Sequence, residues 1–116
     1  MMQYLLMIYG DEAAMQARSK EDIDHVVGAF MAYTEAMQSA GVLVGSNRLR
    51  PTSSATTVRI ADGKTQVLNG PYAETREQLG GYYLIETPDL DAALSWASRC
   101  PGAAYGSIEV RPVWQM

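Results

Sequence analysis

From Tyr4 to Tyr9 every position is apolar, whereas a strand with one wet face would alternate. The run therefore predicts a strand that needs cover on both faces. In so short a chain, one layer of helices covers one face of a sheet, and the other face calls for a second subunit or a ligand. A homodimer is the expectation; the alternative is that Leu5, Met7 and Tyr9 form a surface patch.

Ser19-Lys20-Glu21-Asp22 resembles a capping box, with the Ser19 side chain accepting from the first-turn N–H groups. Ile23, Val26, Phe30, Tyr33 and Met37 then follow alternating three- and four-residue spacing, which lays one apolar stripe along a helix. Gly41 marks its end. Val42 to Pro51 reads as extended, and Pro51-Thr52-Ser53-Ser54 as a loop. Thr56 to Ile60 and Thr65 to Leu68 flank Ala61-Asp62-Gly63-Lys64, the signature of a hairpin in which Gly63 takes the positive φ.

Asn69-Gly70-Pro71 starts a turn-forming, charged stretch that ends in Gly80-Gly81, and Tyr82 to Glu86 reads as a buried strand. Pro88-Asp89 stops that strand and begins a second helix, with Thr87 or Asp89 as N-cap and Leu90, Ala93, Leu94 and Ala97 on its inner face. Pro101-Gly102 ends it. In the last strand, Ser107 to Trp114, Ile108, Val110 and Pro112 face one way while Glu109, Arg111 and Val113 face the other. The order is β-α-β-β-α-β with room for an extra short strand at Val42 to Val44. This is an α+β, ferredoxin-like protomer: one domain over residues 1–116, an antiparallel sheet and two helices on one face.

Composition narrows the function classes. Of 116 residues, 47% are hydrophobic and 19% charged, the balance of a globular domain. The net charge of −4 argues against nucleic acid and against an anionic membrane, both of which recruit Lys and Arg. Cys100 is the sole cysteine, so no intrachain disulfide forms and a reducing cytoplasm is expected. The apolar run at the N-terminus is too short for an export signal or a membrane span.

Candidate chemistry is sparse. His25 is the only imidazole, and a lone helix histidine reads as a solvated surface residue. With Cys100 isolated, no metal or other cofactor is expected. There is no Gly-x-Ser-x-Gly elbow, and Gly70 to Gly81 lacks phosphate-loop spacing. Glu74 and Glu77 are the candidate acid–base residues, since three-residue spacing puts both on one side of a helical turn, and a carboxylate tucked against Tyr72 and Tyr82 would have a raised pKa. The competing reading is a solvated turn with weak pairing to Arg76. Gly80-Gly81 equally fits a bulge or a close backbone approach. Arg48, Arg111, Tyr9 and Tyr82 could line a pocket for a small anionic or aromatic ligand, against the alternative that Glu109 and Arg111 belong to a salt-bridge network.

At Asn69-Gly70-Pro71-Tyr72-Ala73-Glu74-Thr75-Arg76-Glu77 and Leu79-Gly80-Gly81-Tyr82 the chain resembles the YCII-related family, in the branch named for its Asp-Gly-Pro-Phe motif. The resemblance runs from Tyr4 through Val113 and takes in Ala40-Gly41-Val42-Leu43 and Gly106 to Pro112. It implies a dimeric α+β barrel with its sheets face to face, a small-molecule cleft whose rim includes Asn69 and Tyr72, and association with an extracytoplasmic-function sigma factor as the alternative role. Asn69 stands where the motif has Asp, and Tyr72 where it has Phe. The proposed catalytic histidine of YCII-like relatives is matched here by Phe30, while His25 lies five residues earlier on another helical face.

Overall fold

The computed structural model describes residues 1–116. Six strands and three α-helices follow in the order β1 (Met2–Gly10), α1 (Glu12–Gln16), α2 (Lys20–Ser39), β2 (Leu43–Arg48), β3 (Thr56–Ala61), β4 (Lys64–Asn69), β5 (Gln78–Thr87), α3 (Leu90–Arg99) and β6 (Ser107–Pro112). Four of the strands form one antiparallel sheet in the order β2-β5-β1-β6, the ferredoxin-like arrangement. The segment that read as an accessory strand is thus the outer strand of the main sheet. The addition is the β3–β4 hairpin, which forms a two-stranded sheet of its own.

Alternation along the central strands sends Tyr4 and Leu6 of β1 and Tyr83, Ile85 and Thr87 of β5 to the helix side, where all five are buried. Tyr33 and Met37 of α2, Ala93 and Ala97 of α3, and Cys100 close over most of them as one cluster. The Tyr33 hydroxyl donates to the Trp96 carbonyl at 2.6 Å, and its ring meets Tyr83 edge-on at 5.3 Å. One tyrosine thereby joins α2, α3 and the sheet. Truncating a side chain as enclosed as Leu6 to Ala would cost about 2–5 kcal/mol.

The caps follow the sequence. Ser19 Oγ accepts from Asp22 N at 3.1 Å, Asp89 Oδ1 accepts from Ala92 N at 2.9 Å, and Gly41 takes φ 73°. Two expectations need correction. Leu90 and Leu94 are not on the inner face of α3, being 45% and 46% exposed; alanines let the helix lie close on the sheet, and Leu94 sits about 100° around the helix from Ala93. A third helix, α1, was also unforeseen: Asp11 accepts from Ala14 N at 3.0 Å and starts a turn too short to show periodicity.

On the sheet's other face Leu5 lies opposite Leu84, Met7 opposite Tyr82 and Glu109, and Leu5 opposite Arg111. No helix of the chain covers this face, and Leu5, Met7, Tyr82 and Leu84 are only half-buried. The hairpin is more exposed still. Val58 pairs with Val67, and with Ile60 these residues make an apolar face that is open to solvent. Its two-residue turn has both Asp62 (φ 51°) and Gly63 (φ 73°) in the left-handed region, as a type I′ connection requires. The projecting hairpin raises the radius of gyration to 16.1 Å, against about 13 Å for a compact chain of this length.

Candidate functional site

Tyr33 and Met37 seat the C-terminal half of α2 on the sheet. Its N-terminal half overhangs the β2–β5 side, where the floor carries Ser46, Gly80 and Gly81 and offers little side chain to fill the space. The result is a groove of about 760 Å³. Ile8 forms its apolar floor; Ile23, Val26, Val27, Phe30 and Met31 line it from α2; Met15, Arg18 and Tyr105 also line it.

Gly81 is needed for a local reason. A Cβ there would stand 2.9 Å from the Asn47 carbonyl oxygen and 3.4 Å from Arg48 Cα, so β2 could not approach as it does. Beside it, the β1–β5 register slips between Ile8 and Tyr9, leaving Gly80 as the extra residue of a bulge. Both structural roles expected of the glycine pair are therefore present, and together they shape the groove floor.

The exposed surface of the groove is mostly apolar, and polar side chains are set among its lining residues. Thr34 Oγ1 donates to the Phe30 carbonyl at 2.8 Å and lies 2.7 Å from the Tyr83 hydroxyl. Burial pushes the Tyr83 phenol above its ordinary pKa, which keeps its proton available for hydrogen bonding well beyond neutral pH. Arg48 is exposed on the rim with no carboxylate partner, since the two ion pairs of the chain are Lys20–Asp24 and Glu109–Arg111. Of the acids that line it, Glu35 is exposed on α2, while the two at the β1 end are already engaged. Glu12 accepts from Thr52 N at 2.8 Å and Thr52 Oγ1 at 2.7 Å, and Asp11 caps α1. Arg18 stacks over the Tyr105 ring at 4.5 Å.

Among the residues singled out from the sequence, Arg48, Tyr9 and Tyr82 border the groove. Register separates them, however. Arg48 pairs with Gly81 on the helix side, whereas Tyr82 pairs with Asn47 on the opposite face, where Asn47 Nδ2 donates to its hydroxyl at 2.8 Å. Tyr9 pairs with Ser107 and belongs to that opposite face with Leu5 and Met7. Arg111 is there too, bonded to Glu109, so it does not join Arg48 in one pocket.

The motif stretch lies elsewhere. Asn69 is exposed at the hairpin base opposite Thr56, and Tyr72 is 77% exposed with Arg59 5.8 Å from its ring centroid. Glu74 edges a separate, shallow depression of about 390 Å³ with Pro71, Thr75 and Gln78. Glu77 accepts from Ser107 Oγ at 2.9 Å. The segment makes no helical turn, and neither carboxylate is tucked against Tyr72 and Tyr82, because Gln78 already begins β5 and carries the chain into the sheet. His25 is exposed on α2. No three His, Cys, Asp or Glu side chains gather where a metal ion could be held. No helix is long and apolar enough to cross a membrane.

Thr34, Phe30 and Tyr83 are the groove residues that sequence reasoning did not assign to a site. Thr34 offered one signal, a hydroxyl beside Tyr33 at the edge of an apolar stripe. Its partner, 49 positions away, carried none.

A profile of the YCII-related domain matches residues 2–116. An uncharacterized protein of Rhizobium meliloti (strain 1021) is 42% identical over 114 residues, covering 97% of this chain and 92% of that protein. Among solved structures, 5-chloro-2-hydroxyhydroquinone dehydrochlorinase (TftG) from Burkholderia phenoliruptrix AC1100, in complex with 2,5-dihydroxybenzoquinone, superposes with a TM-score of 0.58 at 15% identity, covering 98% of this chain and 94% of that one. At that identity the likeness is one of fold.

Proposed function

The chain belongs to the YCII-related family, and from that premise we propose that it binds a small anionic or aromatic molecule in the groove between α2 and the β2–β5 side of the sheet. The observation that carries this reading is a mostly apolar groove of about 760 Å³ whose rim holds a cation, Arg48, without a protein partner. That size falls within the range of about 300–1,000 Å³ usual for small-molecule sites. The similarity of fold to a dehydrochlorinase complexed with a small quinone agrees with a ring-shaped occupant. Asp11 and Glu12 are engaged, Glu35 is exposed on α2, and no histidine or cysteine lines the groove, so the proposal is one of binding.

In the same reading the protein is a homodimer, with the uncovered sheet face around Leu5, Met7 and Leu84 packed on its counterpart in a second copy, as in a dimeric α+β barrel. Light scattering at micromolar concentration tests this directly. A mass equal to the 12.7 kDa chain refutes it, and twice that mass is expected.

Binding is tested by following the melting temperature against a panel of benzoates and short aliphatic acids. A concentration-dependent rise with the aromatic acids that Arg48→Gln weakens supports the groove. No rise with any acid at millimolar concentration sinks it. A second reading rests on the open apolar face of the hairpin at Val58, Ile60 and Val67: an interaction module for an extracytoplasmic-function sigma factor in the cytoplasm. A stoichiometric complex with such a factor, lost in Val58→Lys and accompanied by no ligand-induced shift, would favour it.

A further inference from the structure

The Thr34–Tyr83 pair has a hydrogen-bond polarity that can be worked out. Each hydroxyl owns one proton. Thr34 can give its proton to the Phe30 carbonyl, 2.8 Å away, and the arrangement that satisfies this bond and the 2.7 Å contact between the two hydroxyls together has Tyr83 as donor. Tyr83 has no further protein partner, and both residues line the groove. With its own proton committed to Thr34, the Tyr83 oxygen has only lone pairs left to offer an occupant. The side chain is 6% exposed, which keeps water from serving freely in the occupant's place.

Arg48 supplies the opposite polarity. It pairs with Gly81 while Tyr83 pairs with Ser46, so Arg48 and Tyr83 are diagonal neighbours on the helix side of the sheet, with backbones about 7–8 Å apart. A guanidinium donates and never accepts. The groove thus carries a donor at its rim and an acceptor deeper in, and Phe30 and Ile8 line the same space. One six-membered ring with groups at opposite ends bridges such a pair.

We infer that the groove selects hydroxylated aromatic acids: the carboxylate is held by Arg48, and a ring hydroxyl at the far end donates to Tyr83, whose orientation Thr34 fixes. This rests on the groove being a binding site. Thr34 is a positioning residue, acting through the direction in which the Tyr83 proton points. Its role separates donors from acceptors at the same ring position.

The test is calorimetric titration of the full chain with 4-hydroxybenzoate and 4-formylbenzoate, which are similar in size but of which the second can only accept at the far end. The native protein should prefer 4-hydroxybenzoate by about tenfold or more, because an acceptor set against an acceptor leaves both unpaired. Thr34→Val frees the Tyr83 proton, so 4-formylbenzoate should gain affinity and the ratio should close to within about threefold. Tyr83→Phe should remove the preference, and Arg48→Gln should weaken both acids while keeping their ratio. Circular dichroism melting confirms that each variant is folded. If both acids bind the native protein equally, or if Thr34→Val leaves the ratio unchanged, the hydroxyl reading is overturned while the groove stands. If neither binds, both fall.

Discussion

Gly81→Ala isolates the close approach of β2 to β5. The added Cβ would sit 2.9 Å from the Asn47 oxygen, a backbone atom of a paired strand that cannot rotate away. Either the two strands separate locally or the β5 backbone shifts toward β1. Insertion of a methyl into so closed a site costs about 1–3 kcal/mol. At about 2.1 cal/mol/K of unfolding entropy per residue, a 116-residue chain loses about 4 °C of melting temperature per kcal/mol, so a fall of about 4–12 °C is expected. Gly80→Ala is the control, because its Cβ would meet only the Ile8 oxygen at 3.9 Å, an ordinary contact. That variant should stay within about 0.5 kcal/mol of the native chain or gain slightly from a stiffer unfolded state. The assay is calorimetric melting of all three proteins at one concentration, since association shifts the midpoint. Equal midpoints for the two variants would refute the reasoning, and with it the account of how the groove floor is held.

Other expectations follow from elements away from that floor. Burial raises the pKa of Tyr33, Tyr83 and Cys100 above unperturbed values of 10.0, 10.0 and 9.0, so the unfolded chain loses these protons first. Their contribution to stability is complete below about pH 9 and is lost as pH rises through the higher folded values; a melting temperature that is flat or rising above pH 9 would contradict this. The same burial should protect the Cys100 thiol from a chromogenic disulfide reagent at pH 8 until denaturant is added. Gly28→Ala lies at an exposed position inside α2 with nothing within 4 Å of the new methyl, and should raise stability by about 0.5–1 kcal/mol in denaturant unfolding. In hydrogen exchange at concentrations low enough to keep the chain monomeric, amides of β3 and β4 should exchange at least about tenfold faster than those of β1 and β5, and equal protection would mean the hairpin has support from outside its own two strands.

The elements legible in the sequence were those whose pattern is local. The stripe from Ile23 to Met37 became α2, and Asp62-Gly63 became a two-residue turn, since backbone chirality and helical period act over a few residues. Size misled where geometry decided: Leu90 and Leu94 look like core but leave that place to Ala93 and Ala97, because a helix laid close on a sheet has room only for methyl groups. Strand membership was harder, since nothing in Leu43 to Arg48 announces that it, and not the better-patterned hairpin, joins β5. The groove was least legible. Arg48 could be suspected as an unpaired cation, whereas Thr34 and Tyr83 meet only through the packing of α2 on β5. The motif around Asn69 drew notice by composition, and its backbone shapes the hairpin base rather than the groove: Gly70 N donates to Ala55 O at 2.7 Å and Thr57 Oγ1 donates to Gly70 O at 2.9 Å.

That base gives the hairpin a practical meaning for protein engineering. The strands β3 and β4 pair only with each other, and Asp62 and Gly63 at their tip are exposed. Exposed loop tips of this kind are the preferred places for inserted sequence. A fluorophore or affinity tag spliced between Asp62 and Gly63 would leave the four-stranded sheet and α2 untouched, and so gives a handle for following the protein in living cells without disturbing the groove.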